Sequence, residues 1–219
     1  MLNEEMFLAV REEVTQAKAI LVAITKQRPI ADIRRMYELG QRDFGENRVP
    51  ELIEKREALP NDIRWHFVGH LQRNKVSGIT PFIHLIHAGD SPRLIRQINK
   101  DAAKDGRIVP VLLQYHIADE ASKYGLDPAH PAAVLSELNL KELPNVLISG
   151  VMGMATYTDV DEQIAGEFNA LHEAFTFLKN KHFSEQKDFA TLSMGMSGDY
   201  PIALQRGSTM VRVGSLLFN

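Results

Sequence analysis

Lys26 stands in LVAITKQRP, an apolar run that closes on the lysine and then on a proline-led turn. A primary amine at the end of such a run, partly desolvated, has a lowered pKa and keeps some neutral nitrogen able to attack a carbonyl. A lysine that merely snorkels at a strand end is the competing reading. Two later segments, TLSMGMSGDY and GSTMVRVGS, place small and hydroxyl residues directly after apolar runs. Ser193, Gly195, Ser197, Gly214 and Ser215 suit close backbone approach and hydrogen bonding to an anion such as phosphate, although glycine and serine are also ordinary turn residues. Arg212 sits inside the apolar stretch MVRVG, where a guanidinium needs an acceptor: a core carboxylate such as Glu46, or a ligand atom. His66 in WHFVGH faces either a site or the core. His84, His87 and His116 show no HxxxH pairing or adjacent carboxylate pair, so no metal site is expected.

These residues share a position relative to the elements around them. Eight apolar runs, at 20–24, 42–46, 65–69, 82–86, 108–115, 146–151, 189–194 and 210–214, alternate with turns and helical patterns. IVPVLLQY and NVLISGVM are almost continuously apolar, as parallel strands buried on both faces are. Residues 30–39 and 161–179 carry apolar side chains at three- and four-residue steps, and Ser91-Pro92 reads as an N-cap followed by a first-turn proline. Eight such units make a (β/α)8 TIM barrel, expected here as one domain over 1–219. No glycine-rich loop follows the first strand, which disfavours a doubly wound sheet. The amphipathic segment before strand one is expected to cover the gap left after strand eight.

In a barrel the C-terminal strand ends carry the chemistry. Read in order, those ends present Lys26, Asn47, the stretch from His66 to His70, Gln114 and His116, Met152 and Met154, Ser193 with Gly195, and Arg212 with Gly214 and Ser215. The bulk numbers narrow the classes. A formal charge of −3 gives no reason to expect nucleic acid as a partner, and no apolar run approaches the roughly 20 residues of a membrane span. The absence of cysteine excludes disulfides and thiolate chemistry and fits a cytoplasmic protein.

AITKQRP, FGENRV, WHFVGHLQRNK, DEASKYG, GVMGMA, LSMGMSGDYPIAL and GSTMVRVGSLLF, in this order along nearly the whole chain, resemble the motifs of the YggS/PROSC-type pyridoxal 5′-phosphate (PLP) homeostasis proteins. The resemblance implies a barrel like the N-terminal domain of alanine racemase, with PLP held as a Schiff base on Lys26. It implies Asn47 near the ring, with His66 and Met152 lining the same mouth. Ser193, the backbone of Gly195 and Met196, Gly214 and Ser215 would hold the phosphate, and Arg212 would face the pyridine nitrogen. Such an arginine cannot accept a proton, which weakens PLP as an electron sink. With the chain stopping just past strand eight, no second acid/base is evident. The expected role is therefore a non-catalytic carrier, monomer or homodimer, that stores, buffers or delivers PLP to acceptors such as PLP-dependent apoenzymes. A PLP-dependent amino-acid racemase is the alternative, and a cofactor-free Schiff-base aldolase a third. Lys123 in SKYG is a candidate secondary acceptor of the cofactor.

Overall fold

The computed structural model describes residues 1–119 and 125–219, so Lys123 lies outside the described residues. Eight parallel strands pair in chain order: β1 (Ile20–Ile24), β2 (Asp43–Glu46), β3 (Arg64–Phe67), β4 (Leu85–Gly89), β5 (Val109–Tyr115), β6 (Val146–Gly153), β7 (Thr191–Ser193) and β8 (Met210–Val213). β8 pairs back onto β1, with Val22 beside Arg212, and the sheet closes. The helices outside are α1 (Glu4–Gln16), α2 (Ile30–Glu38), α3 (Val49–Ala58), α4 (Pro92–Lys104), α5 (Ala133–Glu137), α6 (Asp161–Lys181) and α7 (Tyr200–Gln205). The expected barrel is therefore present. Among the described residues, no helix is long and apolar enough to cross a membrane.

Two apolar layers hold the barrel. The larger lies between strands and helices, where α6 buries Ile164, Phe168, Leu171 and Leu178. The smaller fills the barrel interior with Val22, Leu85, Leu112, Met152 and Met210, capped by Ile24 and Met154. Each large side chain so buried is worth roughly 1.5–3 kcal/mol. Strand side chains alternate between the layers, so Val22 and Ile24 set an inward phase that Lys26 continues just beyond β1.

Two strands are displaced from their expected positions. Phe82 and Ile83 belong to a turn closed by their amides on the Ile79 carbonyl, and β4 starts only at Leu85. Phe189 precedes β7 and stacks with Phe183 and Phe175, ring centroids 4.4 and 5.3 Å away, in the outer layer. Both are apolar runs whose first residues serve the helix layer. The segment before β1 does fill the gap after β8. α1 buries Phe7, Val10 and Val14 and bonds to α2 through Glu4 and Arg35 at 2.7 Å. It bonds to α7 through Glu13, which accepts from the Tyr200 hydroxyl at 2.7 Å. Asn3 caps α1, accepting from the Met6 amide, and Ser91 caps α4 ahead of Pro92.

Candidate functional site

The C-terminal ends of the strands enclose a cavity of about 720 Å³, within the range of small-molecule sites. Lys26, Asn47, Met196, Arg212, Gly214 and Ser215 line it. Lys26 is exposed, so the desolvation expected at this position is not supplied by the protein itself.

The backbone around Lys26 is held from behind. The Thr25 amide donates to the Gly45 carbonyl at 3.0 Å, which extends the pairing of β1 with β2. The ammonium of Lys55, buried on α3, donates to the Thr25 carbonyl (2.6 Å), Glu46 (2.7 Å) and Glu51 (2.6 Å). Glu51 in turn accepts from the Gln27 amide at 2.5 Å, and Glu46 from the Thr25 hydroxyl at 2.6 Å. Both neighbours of Lys26 are thus tied to one buried cation. Gln27 adopts a left-handed φ of 59°, an uncommon conformation that this clamp holds in place. Burial raises the Glu46 carboxyl above its ordinary value, against the lowering effect of its bonds to Lys55 and Thr25.

Arg212 does not pair with Glu46, which lies on the outward phase of β2 and belongs to Lys55. Its guanidinium, at the cavity floor, donates to the Ser193 hydroxyl at 2.7 Å and to the Gly153 carbonyl at 3.0 Å. Burial pulls its pKa down to about 10, against the opposing charge of Asp199, so it remains a cationic donor at neutral pH. Above it, the Ser197 hydroxyl oxygen accepts from the Gly214 and Leu216 amides at 3.1 and 3.4 Å. Two backbone N–H groups from the loop after β8 therefore converge on a single acceptor oxygen.

Four residues expected around the ligand do not line the cavity. Ser193 is fully buried, its hydroxyl engaged by Arg212 and by His87 Nδ1 at 3.1 Å. His66, also fully buried, is bonded to His87 and Asp43. Met152 is part of the apolar interior. Gly195 makes a turn at φ 98°, where a Cβ would come within 2.6 Å of the Ala203 Cβ on α7. For Ser193 the reason is depth, because the long Arg212 side chain spreads across the floor and screens the short serine beneath it; Gly195 instead faces α7. Conversely, Gly69 and His70, inside the stretch read at the end of β3, line the cavity, and so does the segment 156–159, which was not singled out from sequence. Their position immediately after β3 and β6 is the signal that marks them.

At the opposite end of the barrel, Asp43, His66 and His84 bring ligand atoms within 4.8 Å of one another. They come from separate elements, so no linear spacing reveals them. The Asp43 carboxylate is already engaged by Arg64, at 2.8 and 2.5 Å, and by His66 at 3.1 Å. Burial alone would raise the Asp43 carboxyl, but its bonds to Arg64 and His66 outweigh that and hold it well below the carboxylate range. His84, though part of its surface is exposed, is pushed down to about 4, chiefly by desolvation of its ring.

The closed eight-stranded parallel barrel is of the alanine racemase N-terminal-domain kind. The model of that family, "Alanine racemase, N-terminal domain", matches residues 7–219. The chain belongs to the pyridoxal phosphate homeostasis protein family within it. It is 37% identical to the pyridoxal phosphate homeostasis protein of Aquifex aeolicus over 91% of this chain and 86% of that one. The human protein of the same name is 34% identical over 99% and 82%. PipY of Synechococcus elongatus, solved without PLP, superposes with a TM-score of 0.89 at 34% identity, covering 98% of this chain and 99% of that one. Its PLP-bound structure gives 0.86 at the same identity and coverage. Alanine racemase of Clostridium difficile shares the fold, at a TM-score of 0.71 and 14% identity, with this chain covering 55% of its length.

Proposed function

We propose that the mouth binds PLP, anchored covalently through the Lys26 amine, and that the protein stores, buffers or delivers the cofactor without turning over a substrate of its own. One observation carries the reading: one cavity is lined by three kinds of group, each of a chemistry that one end of this ligand requires. These are the Lys26 amine, the Arg212 guanidinium, and the Gly214 and Leu216 amides meeting at the Ser197 oxygen. A phosphate oxygen can take the acceptor place that Ser197 fills, and Met196 and Ser215 flank it. PLP-bound PipY, a relative at 34% identity, supports the assignment.

Bound PLP supplies an electrophilic carbonyl carbon and an electron sink whose strength depends on protonation of its ring nitrogen. Arg212, still cationic at neutral pH, has donors only and cannot hand that nitrogen a proton as a carboxylic acid would. Lys26 and Ser215 are exposed, so water and amines reach the attachment point, which suits release better than sequestered catalysis. His70 and Tyr157 also line the mouth and keep the amino-acid racemase as the second reading, because either side chain is of a type that can exchange a proton with a substrate.

Two assays separate these readings. Holoprotein mixed with an apo PLP-dependent enzyme should restore that enzyme's activity. Steady-state racemisation of L-alanine or L-serine should be absent; turnover that disappears in Lys26→Ala would replace the carrier with a racemase.

A further inference from the structure

A continuous chain of hydrogen bonds crosses the barrel interior from one end to the other. At the bottom, Asp43 and Arg64 open β2 and β3. His66 Nε2 lies 3.1 Å from Asp43 Oδ1, and His66 Nδ1 lies 3.0 Å from His87 Nε2. His87 Nδ1 lies 3.1 Å from Ser193 Oγ, which accepts from Arg212 at 2.7 Å. His66, His87 and Ser193 are fully buried, so no solvent competes with these bonds along the way.

The two ends dictate where every proton sits. An ionised carboxylate only accepts and a guanidinium only donates. Bonding to Asp43 therefore requires the proton on His66 Nε2. A neutral His66 then accepts at Nδ1, so His87 donates from Nε2 and accepts at Nδ1. The Ser193 hydroxyl must donate to His87, which leaves its lone pairs for Arg212. With the chain reversed, His87 and Arg212 would both donate to Ser193, and its hydroxyl proton would need another acceptor.

We propose that Asp43, at the far end of the barrel, is a positioning residue for the mouth: through His66, His87 and Ser193 it sets the direction of the chain and so fixes the Arg212 guanidinium for its ligand. Burial, with the Arg212 charge acting in the same sense, keeps the His87 imidazole well below its ordinary pKa and hence neutral, as the chain requires. The link to cofactor rests on the PLP reading above; the direction of the chain does not.

The test is long-range proton–nitrogen NMR on protein with nitrogen-15 histidine at about pH 8.5, where an ordinary imidazole is neutral. His66→Gln and His87→Gln assign the signals. Both rings should be the Nε2–H tautomer. A Nδ1–H ring at His87, or a doubly protonated His66, overturns the proposal. Asp43→Ala should release His87 from that single tautomer, weaken PLP binding by about tenfold, the scale of one hydrogen bond to a charged group, and shift the absorption of bound PLP. An unchanged His87 tautomer in that variant, or unchanged affinity and spectrum, overturns it too. Wild-type protein that shows the expected tautomers but never takes up PLP defeats the PLP reading and leaves the chain standing.

Discussion

Replacing Lys55 by methionine keeps most of the side chain's volume and removes the cation that ties the Lys26 turn together. The ammonium is 4% exposed and touches Glu46, which is 0% exposed, and Glu51, which is 20% exposed. Its loss leaves a buried carboxylate with no counter-charge and frees the Thr25 carbonyl. Breaking a buried ion pair from one side costs roughly 3–5 kcal/mol, against a total stability of about 5–15 kcal/mol for a typical domain. The loss should also depend on pH. The Glu46 carboxyl is raised in the folded protein by burial, and Lys55 is the main opposing influence; without it the carboxyl moves further up. A group whose folded pKa lies above its unfolded value destabilises the fold at pH above the folded pKa and ceases to do so once protonated. The deficit of Lys55→Met should therefore be largest near pH 8 and shrink toward pH 5. Urea unfolding followed by circular dichroism at both pH values measures it. A deficit below about 1 kcal/mol, the range of a surface ion pair, or one equal at the two pH values, would refute the clamp.

Other consequences are simpler to read. Arg212→Ala should weaken retention of PLP and alter its absorption while far-ultraviolet circular dichroism stays the same, because among the described residues the guanidinium is held by Ser193 and Gly153 rather than by an ion pair; an unchanged spectrum would make the arginine structural. Gly195→Ala should cost about 1–3 kcal/mol, the scale of a left-handed residue forced on a side chain, with a Cβ only 2.6 Å from that of Ala203 adding to it. Thermal unfolding checks this, and a melting temperature equal to wild type would contradict the packing described for that turn.

The number and order of strands were legible because parallel strands buried on both faces leave long apolar runs, as in IVPVLLQY. Hydrophobicity does not say which layer an apolar residue enters, however, so Phe82, Ile83 and Phe189 were read into strands whose outer neighbours they are. At the site, Lys26, Asn47, Arg212 and Gly214 were readable from strand ends and from the family motifs. Those motifs carry no depth. Ser193 and His66 share the mouth's strands but sit beneath its floor, since the barrel's layers are set by how strands stagger against one another. Lys55 was invisible: on a helix with charged neighbours it looks like any solvated lysine, and only its distance to the Thr25 carbonyl reveals its work. The Asp43–His66–His87–Ser193 chain was hidden for a similar reason, being assembled from four strands with no shared spacing.

The central claim is that Lys26 is the attachment point for PLP. Holoprotein reduced with borohydride and digested should carry the added mass of reduced PLP on the peptide containing Lys26, and Lys26→Ala should show no such adduct and no visible absorption. An adduct on a different lysine, or a protein that stays colourless after incubation with PLP, would contradict the account.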